Sequence, residues 1–269
     1  MQYDPIKRYL GNIFNSNTYF RIFFYKLLDI ILLRTWHIKR ELRSIKKTFP
    51  ENAQILDAGS GFGQYSYYLS TQSPSWKIKA VDVKSEQVAD CNQFFGKLGL
   101  SNRVVFEEAD LTKYVDPGKF DMILSVDVME HILEDVTVFK NFNNSLKNGG
   151  VLLISTPSDK GGSDVHDDHE SSFIEEHVRD GYNIIEIEEK LFATGFTKVE
   201  ASYSYGCPGK ISWRLSMKYP ILMVNTHKIF LLILPFYFVI ALPISIVMNY
   251  FDVRIKHKTG TGLIVKAWK

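Results

Sequence analysis

A short apolar run, Gln54-Ile-Leu-Asp57, stops at Gly59-Ser60-Gly61-Phe62-Gly63, and apolar residues resume at helical spacing from Tyr65 to Leu69. Strand, glycine turn, helix is the reading. Alone the turn is a weak signal, shared by different classes of nucleotide-binding domain, because glycine admits a nucleotide that any Cβ would hold away. The alternation continues: Lys77-Ile-Lys-Ala-Val-Asp-Val83 predicts a second strand, followed by a helix over residues 85–98. Arg103-Val-Val-Phe106 and Phe120-Asp-Met-Ile-Leu-Ser125 predict a third and a fourth strand. Residues 136–146 read as a helix closed by Asn148-Gly149-Gly150 as its C-cap, and Val151-Leu-Leu-Ile-Ser155 as a fifth strand. Near-continuous apolar strands alternating with amphipathic helices predict an α/β chain with a doubly wound sheet and ligands at the carboxyl ends of its strands.

The acids around the turn are more selective than the glycines. Asp57 precedes the first glycine by two residues, Asp82 ends the second strand nineteen residues after Gly63, and Asp110 ends the third in Glu107-Glu-Ala-Asp-Leu111. At these positions the chain resembles the class I S-adenosylmethionine-dependent methyltransferases of the small-molecule type. The resemblance rests on Leu56-Asp-Ala-Gly-Ser-Gly-Phe-Gly63, Ala80-Val-Asp-Val83, Ala109-Asp-Leu111, the stretch from Phe120 to Ile132 and Leu146-Lys-Asn-Gly-Gly-Val-Leu-Leu-Ile-Ser155. It covers roughly residues 50–206 and the last strand, Gly262-Leu-Ile-Val-Lys-Ala-Trp268. It implies a Rossmann-like seven-stranded sheet with an antiparallel last strand. It also implies S-adenosylmethionine as cofactor, with contacts from Asp57, Gly59, Gly61, Gly63, Tyr65, Asp82, Val83, Asp110, Leu111 and Ser125. Within that set Asp82 would accept from both ribose hydroxyls, Asp110 and Leu111 would meet the adenine, and Asp57 would lie near the methionine. Any one of these acids taken alone is also a common strand-end cap.

Methyl transfer from a sulfonium mainly needs alignment and exclusion of water. A base is required when the acceptor is a phenol of pKa near ~10. His131, in Asp127-Val-Met-Glu130-His131, is the first candidate base, and His177, in His177-Val-Arg-Asp-Gly-Tyr182, the second. Asp127, Glu130 and His131 are spaced i, i+3 and i+4, which on a helix would suit Mg²⁺. The stretch is similar to the Glu-x-x-Glu-His of the ubiquinone O-methyltransferases, with Asp127 for the first Glu. A metal-free role for His131 is favoured, so no metal ligand is assigned. Thr156-Pro157 opens a turn-rich stretch to residue 170, with His166 and His169, that reads as a solvated, mobile flap.

The ends of the chain bear on the substrate. Residues 1–47 carry ten basic and three acidic side chains, residues 207–269 nine and one, and residues 48–206 thirteen and twenty-six. Two basic ends therefore flank an acidic middle, an asymmetry that suits a charged partner. Two cysteines exclude a disulfide framework and point to a reducing compartment, and the polar opening predicts no secretory leader. The expected organisation is N-terminal helices over 1–50, the cofactor-binding core over 51–206, an apolar helical insertion over 207–259 and a final core strand over 260–269. The insertion holds twenty-three consecutive uncharged residues, 229–251, broken by Pro235 and Pro243. A single crossing would put the sixth strand, Lys198-Val-Glu-Ala-Ser-Tyr-Ser204, and the last on opposite sides of a bilayer, so a returning hairpin, two spans or an interfacial helix pair is expected. The segment from Phe20 to Arg34 is similarly apolar with interspersed basic residues. The expected partners are a lipophilic small molecule and the inner face of a membrane, from the cytoplasmic side. Packing of the apolar ends as a soluble lid or homodimer interface stays open. O-methylation of a phenol, quinol or polyketide leads. An RNA methyltransferase and a non-catalytic membrane-attached protein are the alternatives. The apolar character of the basic ends argues against nucleic acid.

Overall fold

The computed structural model describes residues 17–161 and 178–269. His166, His169 and His177 lie outside the described residues. Helices α1 (Thr18–Ile31) and α2 (Leu33–Lys46) come first, parted by Leu32 in extended backbone where the sequence reads one apolar helix. Then β1 (Gln54–Ala58), α3 (Gln64–Gln72), β2 (Lys77–Asp82), α4 (Ser85–Lys97), β3 (Val104–Glu108) and β4 (Phe120–Val126) alternate. They are followed by α5 (Asp135–Ser145), β5 (Leu146–Pro157), α6 (Ile184–Ala193) and β6 (Lys198–Ser204). Three helices, α7 (Cys207–Trp213), α8 (Tyr219–Thr226) and α9 (Phe230–Arg254), precede β7 (Gly262–Trp268).

The seven strands form one sheet in the order β3-β2-β1-β4-β5-β7-β6, with β7 antiparallel to both neighbours. This is the doubly wound, Rossmann-like α/β arrangement expected. Strands β1, β4 and β5 are buried along most of their length, as parallel strands covered on both faces must be. One apolar cluster joins α1, α2 and α4 to the sheet through Tyr25, Ile38, Phe94 and Phe95. The other joins α5 and α6 through Phe139, Phe142 and Leu191.

Two local expectations are corrected. Asn148-Gly149-Gly150 does not cap α5: the helix ends at Ser145 and β5 begins at Leu146. The chain end recruits these residues, since Gly149 N–H donates to the Lys269 carbonyl (3.2 Å) and Lys269 N–H to the Gly150 carbonyl (3.1 Å). Pro235 and Pro243 do not break the apolar run but lie inside the continuous α9. A proline in a helix interior leaves a carbonyl unpaired, a defect tolerated best where neighbouring helices or a bilayer hold the helix.

Two buried polar ties hold the site-bearing loops. The Arg21 guanidinium, on α1, reaches Asp90 (2.5 Å) and the Phe62 carbonyl (2.7 Å) while lying 4.4 Å from the Phe94 ring centroid. It thereby clamps α1 over the glycine turn. Asp135, at the start of α5, accepts from Arg179 (2.5 Å), Lys190 (2.9 Å) and the Tyr182 hydroxyl (2.8 Å), fixing the turn after β4 against α6. Removing one member of a buried charged set strands the others. Asp135→Ala should therefore cost about 3 kcal/mol, read as a lower urea midpoint at unchanged slope.

Candidate active site

The strand order reverses direction between β1 and β4, so their carboxyl ends flank the crevice where ligands of doubly wound sheets bind. The glycine turn leaves β1 there. Gly59 and Ser60 N–H groups both donate to the Val81 carbonyl (2.9 and 3.0 Å), which folds the turn back over β2. Gly59 has φ +80°, and a Cβ at that position would collide with the Val128 side chain, so only glycine fits. Gly61 and Gly63 also lie at positive φ, the latter at the N-terminus of α3.

The acids differ in how they are held. Asp82, the last residue of β2, accepts from the backbone N–H of Gly61 (2.8 Å) and of Lys84 (3.0 Å). Both carboxylate oxygens are thus aimed beside the turn and keep a lone pair for a diol. Val83, next in sequence, is exposed. Asp57 is only 2% exposed and accepts from the Ser66 hydroxyl at 2.6 Å. Burial, reinforced by the negative charge of Asp82, pushes its pKa up to about 6. Ser66 supplies its neutral donors, the backbone N–H as well as the hydroxyl. Asp110 lies beyond the end of β3 rather than in it. It is exposed and accepts from Thr112 N–H (2.9 Å) and Oγ1 (2.7 Å), a turn-capping arrangement that pulls its pKa down. Leu111 is buried behind it. Ser125 lies inside β4, fully buried, with its hydroxyl among the buried groups lacking a partner.

The turn after β4 is a single 3₁₀ turn, Met129–His131, not an α-helix. Asp127, Glu130 and His131 therefore do not share a face of an α-helix. Asp127 takes φ +52° and pairs with Arg34 of α2. Glu130 is buried and accepts from the Thr156 hydroxyl (3.0 Å); burial and the nearby Asp127 charge raise its pKa. His131 is half-buried at the sheet edge. Among the described residues no three His, Cys, Asp or Glu side chains converge as a metal site.

The sequence reading missed Arg34 and Tyr205. Arg34 N–H, one of the orphan donors at the start of α2, is satisfied by the Tyr205 hydroxyl (3.0 Å), while its guanidinium meets Asp127 and leaves a buried Nε without a partner. Asp127 and Tyr205 are the two non-glycine residues at positive φ among those described, and both touch Arg34. Strained backbone of this kind persists where surrounding contacts enforce it, commonly at functional sites. Tyr65, on the first turn of α3, lies beside this group with its hydroxyl 3.4 Å from Thr35 Oγ1. Burial pushes its phenol up to about 12, so it stays protonated. Arg34 is thus in contact with Asp127 after β4 and with the Tyr205 phenol, whose pKa burial also raises, while Tyr65 lies close by.

Residues 50–202 match the methyltransferase-domain family, and the chain belongs to that family of S-adenosylmethionine-dependent enzymes. Among curated relatives, Arabidopsis thaliana phosphoethanolamine N-methyltransferase 1 is 28% identical over 58% of this chain and 31% of its own length. Malonyl-[acyl-carrier protein] O-methyltransferase 2 of Ilyobacter polytropus is 26% identical over 49% of each. The chain thus spans about a third to a half of these relatives. Among solved structures, Haemonchus contortus phosphoethanolamine N-methyltransferase 2 with S-adenosylmethionine superposes at TM-score 0.59 (19% identity, 91% of this chain and 60% of that one). The [4+2]-cyclase SpnF gives the same TM-score (18% identity, 88% and 82%). These likenesses establish the fold; a cyclase among them means that the reaction must be argued from the site.

The raised Asp57 pKa yields a linkage. Between about pH 4 and pH 6 the folded state binds the extra proton, so stability of the ligand-free protein falls as pH rises through that window. Asp57→Asn should remove this slope and raise stability at pH 7 by about 3 kcal/mol, checked by urea unfolding at pH 5 and pH 7. The same change should weaken S-adenosylhomocysteine binding in calorimetry.

Proposed function

We propose that the chain transfers the methyl group of S-adenosylmethionine to a hydroxyl of a lipophilic acceptor held at a membrane surface. In this reading Asp82 accepts from the ribose hydroxyls, Asp57 meets the methionine ammonium and Arg34 its carboxylate, for which the planar guanidinium fork is suited. The bound cofactor supplies an activated sulfonium methyl. Around it, the glycine turn lets backbone come close, Arg34 and the two phenols hold the amino-acid end, and the turn after β4 presents His131 to accept the acceptor's proton. His131 is the catalytic residue of the proposal, with a contribution of about 10²–10⁴-fold typical of a positioned base.

The observation that carries the membrane part is the inverted character of α9. Its inward residues are small or polar, namely Ala241, Ser245, Asn249 and Asp252. Its outward residues are large and apolar: Phe236 is 75% exposed, Leu232 73% and Val239 72%. Only 11% of its most apolar stretch is buried, although the helix is long and apolar enough to cross a membrane. A core helix of a water-soluble fold has the opposite arrangement, whereas small and polar residues inside with apolar ones outside suit a lipid environment. Helix α1, which packs against α9, adds exposed Tyr19, Phe20 and Phe23. Lys228, Arg254, Lys256 and Lys258 flank the apolar stretch and suit anionic headgroups. Since β6 and β7 pair in one sheet, both ends of the insertion stay on the side of the crevice.

Asp82→Ala should weaken S-adenosylhomocysteine binding by about 10²–10⁴-fold, the loss of two hydrogen bonds to a charged group. His131→Ala should lower turnover at least tenfold more than it lowers that affinity; unchanged turnover would remove His131 from the mechanism. Turnover is read by incubating a cell lipid extract with labelled cofactor and identifying the product by mass spectrometry, which also reports whether oxygen or nitrogen is methylated.

The wild-type chain should float with phosphatidylcholine vesicles containing phosphatidylglycerol, and Leu232→Ser with Phe236→Ser should abolish flotation while sparing S-adenosylhomocysteine binding. Wild-type protein that ignores such vesicles would overturn membrane docking.

A further inference from the structure

We propose that Asp252, near the end of the apolar helix α9, is a positioning residue for the cofactor crevice, acting through Tyr205 on Arg34. This rests on the reading above that Arg34 faces the cofactor's carboxylate. Asp252 is 0% exposed and is the hub of a buried cluster. Its Oδ1 accepts from Tyr205 N–H (3.2 Å) and contacts His37 Nε2 of α2 (2.8 Å). Its Oδ2 accepts from Gly209 N–H (2.8 Å) and lies 3.2 Å from His257 Nε2. One carboxylate of the apolar helix therefore ties together α2, the turn leaving β6, the start of α7 and the segment returning to β7.

That turn carries the connection to the crevice. Tyr205 sits at φ +55°, a conformation a tyrosine does not hold unaided, and its N–H is anchored by Asp252. Its side chain reaches the other way, so that the hydroxyl accepts from Arg34 N–H at the first turn of α2, and Arg34 in turn pairs with Asp127 beside the 3₁₀ turn of His131. The packing is built for close approach: a Cβ on Gly209 would lie 2.6 Å from Asp252 Oδ2 and 2.7 Å from Leu33 Cδ2. The apolar helix and the amino-acid end of the crevice are thus one hydrogen-bonded unit, continuous from Asp252 through Tyr205 and Arg34 to Asp127. An anchor serving only to hold the protein on a surface would not need a buried carboxylate organising the site.

The test is a set of double-mutant cycles on the full chain, read as S-adenosylhomocysteine affinity by calorimetry. Asp252→Asn and Tyr205→Phe should each weaken binding about fivefold, the worth of one hydrogen bond. Arg34→Ala should weaken it more, and Asp252→Asn added to Arg34→Ala should cost nothing further, because the effect travels through Arg34. As a control on the opposite side of the crevice, Asp252→Asn with Asp82→Ala should show losses that multiply. Wild-type affinity in either Asp252→Asn or Tyr205→Phe, or multiplying losses in the Arg34 cycle, would overturn the proposal. If Arg34→Ala alone binds normally, the assignment of Arg34 to the cofactor fails and takes the proposal with it; if Arg34→Ala is weakened and Asp252→Asn is not, the proposal alone fails. Should Asp252→Asn not fold by circular dichroism, Tyr205→Phe, which removes only a hydroxyl, completes the cycle with Arg34→Ala.

Discussion

The parallel pairing of β1 with β2 on one side and β4 on the other is the constraint from which the rest of the molecule follows. It brings three strand ends, and the loops that leave them, to one edge of the sheet in fixed register. The carboxyl groups of Asp57, Asp82 and Asp127 come together there although they are far apart in sequence. Burial first, and the neighbouring like charge second, raises the pKa of Asp57 and of Glu130. Arg34, brought in by α2, pairs with Asp127. Under the proposed function, the ammonium and sulfonium of the cofactor would supply further positive charge beside these acids.

Helix α9 inverts the usual relation between burial and polarity. Its polar stripe faces protein because Asp252 and Asn249 pack at the base of the insertion, and its apolar surface faces outward. In water this arrangement exposes large side chains with no gain; against acyl chains the same surface is matched to its solvent and the polar stripe becomes the packing interface. The opposite polarity of the two faces is the observation on which the proposed membrane docking rests.

Local patterns carried most of the fold. The β1 run, the glycine turn and the alternation through β5 were legible because parallel strands are uniformly apolar and their helices keep a 3.6-residue period, both of which depend on neighbours in sequence. The misreadings lie where distant contacts intervene: Gly149 and Gly150 join β5 because Lys269, at the far end of the chain, pairs with them. The proline-bearing stretch stays helical in α9, which its composition alone did not decide. In the site, Asp82 could be read from its place at a strand end. Arg34 could not: amid apolar residues its charge suggests a surface contact, and only the break at Leu32 and the packing of α2 turn it into the crevice.

The sequence by itself determined the strand-and-turn alternation, the glycine turn and the order of the acids, since each follows from backbone sterics and side-chain period over a few residues. Tertiary structure alone decided which of those acids is buried, which is capped as Asp110 is by Thr112, and which is paired with a cation. It also decided that an apolar helix beyond β6 reaches the crevice through Asp252 and Tyr205. Burial and pairing are set by what chain folding brings alongside a group, and electrostatic energies depend on those distances rather than on position along the sequence.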